Sequence, residues 1–516
     1  MSFNLATILR ESARTHPDRD VLRFATGSMT YAQLDAASTR CAAGLRARGL
    51  RRGAVVAVQV PNLPEFVIAW FGILKAGMAM VPLNPLLKGP EIAYHLRDSG
   101  SVLLVTFVGF LDEAVRGGGD TPMIVVPQPG SQLPEGLTPF ASLLATDPDP
   151  DDEIAPTDAD DTACIIYTSG TTGKPKGAEL THFGMFMGAS VGGGALGASE
   201  EEVALAVLPF FHVFGLAAVL NTAIRFGGIL SVVPRFEVGA VLDAIERDRV
   251  SLVLGVPTML QALLAHDTTG RDLSSLRVAI SGGASLPGDI LRAFEEKFDI
   301  VVLEGFGMSE TGAVCTFNKS AEERRILSIG KPQWGVEVRV VDHDDVTIPR
   351  GAEHIGEIVV RGHVVMKGYL GRPEETAEAL RGGWFHTGDL GYQDEDDYIF
   401  IVDRSKDLII RGGYNVYPRE VEEVLYTHPA IAEAAVIGKP DQRLGEEVVA
   451  VVALKPGASA TADEIIAFCR EQLAAYKHPR EVRFVDELPK GPSGKILKKE
   501  LRAGGVAAAA GLAAVP

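Results

Sequence analysis

Short apolar runs alternate with amphipathic segments along most of this chain. Residues 287–297 have the helical period, with Ile290, Leu291 and Phe294 on one face. This alternation predicts an α/β fold in which helices pack on both faces of mainly parallel, doubly wound sheets. Apolar runs with the length of buried strands lie at residues 55–60 (VVAVQV), 102–107 (VLLVTF), 230–236 (LSVVPRF), 251–256 (SLVLGV) and 300–307 (IVVLEGFG).

The pattern changes after the middle of the chain. Charge-rich turns separate shorter strands at residues 337–342 (EVRVVD) and 356–362 (GEIVVRG). Strands that follow one another so closely favour an antiparallel or barrel-like unit. We therefore expect a large N-terminal domain of doubly wound sheets plus a β-barrel-like unit.

A small α+β domain is predicted after Asp403. Pro418 suits the first turn of a helix. Thr461 and Glu464 have the spacing of a capping box, and an apolar stripe follows them to Tyr476. The chain thus restarts with its own helix and strand signals, which predicts a separate C-terminal unit.

Composition limits the class of partner. A chain of 516 residues is too long for one core and implies about two to four structural units. Its net charge of -18 disfavours nucleic acid as the main partner, although a nucleotide can still be bound by local charge. The four cysteines are far apart and lack metal-ligand spacing, which predicts reduced thiols, no structural zinc and a cytoplasmic location.

The most membrane-like stretch runs from Phe66 to Pro82. Lys75, Gly72 and Gly77 interrupt it, so it is shorter than the roughly 18 apolar residues of a membrane span. We expect a buried core helix there and no integral membrane segment. The sequence makes no prediction about oligomeric state.

The segment from Tyr167 to Gly177 (YTSGTTGKPKG) carries the strongest chemical signal. Its glycines let backbone N–H groups approach an anion, and its hydroxyls and lysines add donors and charge. Residues 163–167 (ACIIY), directly before the loop, predict a buried strand that leads into it. The segment predicts a polyphosphate-binding loop, with a flexible linker as the alternative. Its residues with this role are Thr168, Ser169, Gly170, Thr171, Thr172, Gly173, Lys174 and Lys176.

Two other nucleotide motifs are excluded. No GxxxxGK[ST] sequence occurs, which excludes the usual P-loop interpretation. Residues 192–197 (GGGALG) fit GxGxxG but do not follow a strand. We interpret them as a glycine-rich surface loop.

Further segments complete a recognisable set together with the phosphate loop. In this order and spacing the chain resembles the adenylate-forming superfamily of acyl-CoA synthetases, non-ribosomal adenylation domains and luciferases. The resemblance extends from residue 28 to Lys499. The segments are 211–215 (FHVFG), 281–288 (SGGASLPG), 303–312 (LEGFGMSETG), 383–391 (GWFHTGDLG), 403–422 (DRSKDLIIRGGYNVYPREVE) and 489–501 (PKGPSGKILKKEL).

The resemblance implies a reaction in two steps. A carboxylate first attacks the α-phosphate of ATP to give an acyl-adenylate and pyrophosphate, and a thiol then displaces AMP. It also implies a small C-terminal domain, residues 406–516, that turns between the steps on a hinge at Lys406, against an N-terminal domain of residues 1–405. Positioning and charge stabilisation carry such chemistry, so charged residues rather than a nucleophile are expected.

The resemblance assigns these charges. Glu310 matches the Mg²⁺-binding glutamate, with Thr168 beside it, and the alternative is a glutamate at the start of a helix. Asp389 looks like the acceptor of both ribose hydroxyls and Arg404 like its partner, and the alternative is a surface salt bridge. Lys495 matches the catalytic lysine of adenylation, and the alternative is a solvated turn lysine.

The adenine pocket is implied in the same way. Phe306 is expected to stack on the adenine, and the alternative is a core phenylalanine. The other residues expected around the nucleotide are Gly282, Gly283, Ala284, Glu304, Gly305, Gly307, Met308 and Ser309.

The acid is less constrained than the acceptor thiol. His212 is placed among the catalytic residues at the entrance of the acyl pocket, whose other predicted residues are Val213, Phe214, Val256, Met259, Gly305 and Ala313. This apolar lining favours a fatty acid of medium or long chain, with an aryl acid such as a hydroxycinnamate as the alternative. The resemblance also implies that Gly412, Gly413 and Tyr414 bind coenzyme A, and glycines there permit the close approach of a narrow thiol arm.

The sequence thus predicts an ATP-dependent, Mg²⁺-dependent acyl-CoA synthetase. Three alternatives stay open: an aryl-CoA ligase, an acyl-AMP ligase that loads a carrier protein, and a catalytically silent nucleotide-binding relative. The few residues after Lys499 leave no room for a carrier domain, which favours free coenzyme A.

Overall fold

The computed structural model of the protein describes residues 2–128, 130–149, 154–168 and 174–502. The helices are α1 (Thr7–Thr15), α2 (Tyr31–Ala47), α3 (Pro64–Lys75), α4 (Gly89–Ser99), α5 (Leu111–Gly118), α6 (Ala141–Leu144), α7 (His182–Leu196), α8 (Thr222–Arg225), α9 (Val238–Asp248), α10 (Pro257–Ala265), α11 (Gly288–Phe298), α12 (Pro373–Ala379), α13 (Pro418–Tyr426), α14 (Ala462–Gln472) and α15 (Lys498–Arg502). A π-helix, Phe214–Asn221, precedes α8.

The strands of the first half are β1 (Asp20–Phe24), β2 (Gly27–Thr30), β3 (Val55–Gln59), β4 (Ala79–Pro82), β5 (Leu103–Phe107), β6 (Met123–Val126), β7 (Thr162–Thr168), β8 (Lys176–Thr181), β9 (Val203–Ala206), β10 (Ile229–Val232), β11 (Leu252–Gly255), β12 (Val278–Ser281) and β13 (Val301–Phe306). Those that follow are β14 (Thr316–Phe317), β15 (Lys331–Pro332), β16 (Val336–Val341), β17 (Gly356–Gly362), β18 (Gly368–Tyr369), β19 (Phe385–Gln393), β20 (Ile399–Arg404), β21 (Ile409–Arg411), β22 (Tyr414–Val416), β23 (Ile431–Asp441), β24 (Gly445–Leu454) and β25 (Glu481–Phe484).

Two large sheets form the N-terminal part. One has the order β15-β14-β13-β12-β11-β9-β10-β1-β2, and the other β18-β8-β7-β4-β3-β5-β6. Their central strands are parallel, and the edges are antiparallel except at β6, which pairs β5 in parallel. A continuous apolar core joins the two sheets and the helices between them. The predicted doubly wound α/β architecture is confirmed.

The shorter strands of the second half form two further sheets. The order β16-β17-β19-β20 makes an antiparallel sheet, as the closely spaced strands predict. The C-terminal sheet has the order β22-β21-β24-β23, with β25 pairing β24. Helices α13 and α14 cover one face of that sheet over a core of its own. The smaller α+β unit is therefore confirmed.

The membrane-like stretch is a core helix and a strand, as expected. Helix α3 begins at Pro64 and buries Phe66, Trp70 and Phe71 completely. Lys75 at its end is 2% exposed and lies 2.5 Å from Asp35. Among the described residues, none of the helices has the length and apolar run that a membrane crossing requires.

The glycine-rich segment 192–197 is not a loop, and that prediction was wrong. Residues up to Leu196 belong to α7, which begins where the Thr181 side chain accepts a hydrogen bond from the Gly184 N–H. Packing explains the glycines: a Cβ on Gly193 would lie 2.3 Å from Phe226. Close packing against neighbouring helices outweighs the low helix propensity of glycine here.

Helix α14 is also shorter than predicted. The capping box of Thr461 and Glu464 is present, but the helix ends at Gln472. Tyr476 instead stacks on Tyr414 with ring centroids 4.7 Å apart. Tyr476, which the apolar stripe had assigned to the helix, therefore lies beyond its end and packs on Tyr414.

Candidate active site

A cavity of about 1730 Å³ lies where the carboxyl ends of β11, β12 and β13 meet β19, β20 and the C-terminal unit. Parallel strands direct their following loops to one edge of the sheet, where ligands of α/β proteins bind. The expected nucleotide residues that line it after β12 and along β13 are Gly282, Gly283, Ala284, Glu304, Gly305, Phe306, Gly307, Met308 and Ser309.

One corner of the cavity groups a carboxylate with two hydroxyls. Thr168, at the end of β7, donates a hydrogen bond to Glu310 Oε1 at 3.1 Å, and Tyr369 donates to the same oxygen at 3.0 Å. Lys176, paired with Thr168 across β7 and β8, lies over the Tyr369 ring at 5.3 Å. The buried Glu310 and its Thr168 neighbour offer the hard oxygen ligands that Mg²⁺ takes alongside phosphates.

This corner is not a complete metal cage by itself. The described residues contain no group of three or more histidine, cysteine or acidic side chains placed to hold a metal ion. Mg²⁺ is usually held by one or two carboxylates and by the phosphates of the substrate. One buried carboxylate with a neighbouring hydroxyl therefore fits that requirement.

A second corner presents an unpaired carboxylate oxygen. Strands β19 and β20 pair Asp389 with Arg404, and Arg404 Nε lies 3.2 Å from Asp389 Oδ1. Asp389 is 3% exposed, and its Oδ2 has no hydrogen-bond partner among the residues that the structure describes. Burial raises the pKa of this carboxyl group, although the nearby Arg404 and Lys495 oppose that shift. A buried acceptor without a partner is costly unless a ligand donates to it, as a ribose hydroxyl can.

The wall between these corners is held close by glycine. A Cβ on Gly307 would lie 1.7 Å from the carbonyl oxygen of Ala313, so no other residue fits this backbone. Phe306, beside it, is partly buried at the end of β13. Glu304, on the same strand, has its pKa raised to about 7 by burial, and Arg419 opposes the shift. A flat ligand can therefore approach the β13 backbone.

The C-terminal unit brings Lys495 into this cavity. The Thr258 hydroxyl donates to the Gly494 carbonyl at 2.8 Å. The Lys495 chain lies so close to Gly283 that a Cβ there would be 3.0 Å from its Cε. Burial, followed by the charge of Arg404, lowers the pKa of Lys495 to about 8, while Asp389 and Glu310 oppose the shift. The Lys495 ammonium therefore interacts electrostatically with both Asp389 and Glu310.

His212 lies on the same wall as a neutral ring. Burial and the charge of Lys495 lower the pKa of His212 to about 3. Its Nδ1 accepts a hydrogen bond from the Phe214 N–H at 3.2 Å. A neutral imidazole with its Nδ1 engaged is suited to orienting a substrate at the mouth of the pocket.

The predicted acyl residues separate into two groups. Val213, Phe214, Gly305 and Ala313 line the cavity. Val256 and Met259, 2% and 7% exposed, are buried at the start of α10 and are not part of the wall.

Sequence reasoning missed the wall that α7 supplies. Gly188, Gly192 and Leu196 face the cavity one helical turn apart, opposite Ala217 and Ala218 of the π-helix. Their spacing of four residues marks one helix face, but the motif was interpreted as a loop. The spacing was therefore the signal that could have identified them.

The predicted coenzyme A residues lie elsewhere. Gly412 and Gly413 form the turn between β21 and β22, with φ of 59° and 84°, and Tyr414 is 59% exposed. They do not line the cavity. Lys406, the expected hinge, is exposed in the turn after β20 and does border the cavity.

The phosphate loop is described only at its ends. Ser169, Gly170, Thr171, Thr172 and Gly173 lie outside the described residues. Thr168 and Lys176 line the cavity, whereas Lys174 is exposed and is not part of its wall.

Comparisons with known proteins cover nearly the whole chain. Residues 9–370 match the model of the AMP-binding enzyme family, and residues 420–495 match the model of the AMP-binding enzyme C-terminal domain. A feruloyl-CoA synthase from Amycolatopsis sp is 40% identical over 492 residues, which cover 95% of this chain and 96% of that protein.

Two further relatives differ in the acid they are named for. A long-chain-fatty-acid–CoA ligase from Bacillus subtilis (strain 168) is 37% identical over 525 residues, covering 96% of this chain and 94% of that protein. The crystal structure of an anthranilate CoA ligase in complex with anthranoyl-AMP has a TM-score of 0.90 at 31% identity, covering 98% of this chain and 97% of that one.

Proposed function

We propose that this chain, which belongs to the AMP-binding enzyme family, joins coenzyme A to a carboxylic acid with an apolar body. It is an AMP-forming acid–thiol ligase that uses ATP, Mg²⁺ and coenzyme A. The observation that carries the proposal is the convergence of Glu310, Asp389 and Lys495 in one cavity. These three side chains come from separate parts of the sequence, and their charges suit a nucleotide, its metal and a reacting carboxylate.

In the first half-reaction, the carboxylate oxygen of the acid bonds to the α-phosphorus of ATP as the bond to the bridging oxygen of pyrophosphate breaks. Lys495 stabilises the negative charge that redistributes between the two groups. Asp389 accepts hydrogen bonds from the ribose hydroxyls, and Arg404 holds its other oxygen. Glu310, with Thr168, would hold Mg²⁺, which would neutralise phosphate charge.

In the second half-reaction, the thiol of coenzyme A attacks the acyl carbon and expels AMP. The described arrangement has Lys495 in the cavity and the Gly412–Tyr414 turn outside it. We propose that residues 406–516 turn about Lys406 between the two steps and thereby exchange these elements. Such a motion gates the reaction and adds nothing to the chemical step itself.

The class of acid is a separate part of the proposal. The preference for a medium- or long-chain fatty acid stays a prediction, supported by the apolar wall and by the Bacillus subtilis relative. The aryl alternative is supported by the feruloyl-CoA synthase and the anthranilate CoA ligase.

Pyrophosphate release with Mg-ATP tests the function. Acetate, octanoate, palmitate, malonate, 4-coumarate and benzoate are each supplied with and without coenzyme A, and Asp389→Asn serves as the impaired control. We expect sustained release only with coenzyme A and only for acids with an apolar body. Release that is indifferent to coenzyme A would favour a carrier protein as acceptor, and no release with any acid would overturn the proposal.

A further inference from the structure

Three buried polar side-chain atoms on the wall of the cavity have no hydrogen-bond partner within the described part of the chain. They are Asp389 Oδ2, Ser281 Oγ and Gln333 Nε2. The ribose role proposed above accounts for Asp389. Gln333, 6% exposed, has no part in that chemistry. A buried amide without a hydrogen-bond partner destabilises the folded state. Its position on the wall of a ligand-sized cavity therefore indicates that a bound ligand supplies the partner.

Gln333 borders the wall that belongs to the acid. It follows β15, and its backbone N–H donates to the Cys315 carbonyl at 3.0 Å, next to Ala313 and Val314 of the cavity wall. It also borders a second cavity of about 250 Å³, shared with the 190–195 segment of α7. Helix α7 supplies the acyl wall, so the Gln333 amide lies on that side of the cavity.

The reacting end of the acid lies against a different wall. Lys495 lies beside Gly283, and the carbonyl of Gly494 accepts a hydrogen bond from Thr258 at the start of α10. None of these residues borders the second cavity that Gln333 shares with α7. The amide is therefore placed to meet the body of the acid and not its carboxylate.

Nearby polar groups on the acyl side are already engaged. The Thr222 hydroxyl donates to the Ala217 carbonyl at 3.2 Å, and the Ser190 hydroxyl accepts from Arg225 Nε at 3.3 Å. Beside glycine, the main-cavity wall on this side is formed by alanine, leucine, valine and phenylalanine side chains, including Phe214 and Phe317. Gln333 thus offers an available donor within an apolar surface.

We propose that Gln333 is a specificity residue that donates a hydrogen bond to an oxygen on the body of the acid, remote from its carboxylate. This inference rests on the proposed function and selects within it an aryl acid that carries a ring hydroxyl or methoxy group. A plain alkyl chain would bury the amide without a partner, whereas a ring oxygen satisfies it.

Two acids that differ by one ring oxygen test the proposal. The ratio of kcat/KM for 4-coumarate to that for cinnamate is measured in the wild type and in Gln333→Met, which keeps side-chain length without the amide. We expect the wild type to favour 4-coumarate, and Gln333→Met to lower that ratio about tenfold, the effect of losing one buried hydrogen bond. Gln393→Met is the matched control, since Gln393, at the end of β19, donates its amide N–H to Asp397 in the following turn, and we expect it to leave the ratio unchanged.

The outcomes separate this inference from the function on which it rests. Equal loss for both acids in Gln333→Met, or a wild type that prefers octanoate or cinnamate to 4-coumarate, would overturn the role of Gln333 while the ligase activity stands. No activity with any acid would instead count against the proposed function. If Gln333→Met melts below the wild-type Tm, Gln333→Leu is used, and the wild-type substrate preference remains decisive.

Discussion

Lys495 occupies the position on which the chemistry of the cavity depends most. The Asp389 and Glu310 carboxylates favour its charged form, yet burial and Arg404 still lower its pKa to about 8. A charge removed from water interacts strongly with a developing phosphate charge, because solvent screens it less. Two predictions follow at this scale.

Lys495→Ala should slow adenylate formation about 100-fold or more, because no other charge replaces the ammonium at the α-phosphate. The variant should largely retain thioester formation from supplied acyl-adenylate, because the proposed rotation removes Lys495 from the cavity before that step. Pyrophosphate release measures the first step, and coenzyme A consumption with synthetic acyl-adenylate measures the second. Equal loss in both steps would contradict this division of work.

The pH dependence of adenylation should report the same group. The ammonium is present below its pKa of about 8 and is lost above it, so kcat/KM for ATP should fall as the pH rises through that value. Lys495→Arg should remove this fall, since a guanidinium stays charged. A profile that falls identically in the arginine variant would assign the titration to another group.

At the scale of elements, helix α7 sets the space along one wall of the cavity, where the acid is proposed to bind. A Cβ on Gly192 would have no heavy atom within 4 Å, although the residue faces the cavity. Its glycines at 188 and 192 therefore leave space, whereas Gly193 on another face is needed for packing against Phe226. One helix thus uses glycine for two different purposes.

Gly192→Leu should fill that space and shift the preference towards smaller acids, with kcat/KM for palmitate or 4-coumarate falling about tenfold more than that for benzoate. The measurement is the acid panel at saturating ATP and coenzyme A. Gly194→Leu is the comparison variant: Gly194 is on the same helix, is equally open and borders only the smaller second cavity. A similar shift in both variants would assign the effect to the helix and not to the cavity.

At the scale of the whole molecule, contacts between the two units hold Lys495 in place. The Thr258 hydroxyl donates to the Gly494 carbonyl, Gln261 donates to the Ala432 carbonyl, and the Gly288 N–H donates to Glu423. These contacts are polar, as are those of Arg419 with Asp403 and with the Ile401 and Leu327 carbonyls, which suits an interface proposed to open.

Thr258→Val keeps the shape of the side chain but removes one of these bonds. Its loss, worth about 1 kcal/mol, should reduce the population of this arrangement and slow adenylation about fivefold, leaving thioester formation from acyl-adenylate unchanged. Thr269→Val is the control, because Thr269 is bonded locally to Asp267 away from the interface. Slowing of both steps would mean that Thr258 supports the fold instead.

The sequence by itself determined what depends on local pattern. Apolar period placed strands such as β3 and β13 and helix α11 within a few residues, and the capping box at Thr461 located the start of α14. Glu310, Asp389 and Lys495 could be singled out because their motifs are contiguous, and all three border the cavity.

Only the tertiary structure decided what depends on contacts between distant segments. The unpaired Asp389 oxygen, the contact of Lys495 with Gly283 and the cavity face of α7 all involve residues remote in sequence. Gln333 belongs to no motif. Only the packed structure shows that its amide nitrogen is buried without a hydrogen-bond partner among the described residues. Local sequence carries backbone preference and periodicity, whereas burial and hydrogen-bond satisfaction are properties of the packed molecule.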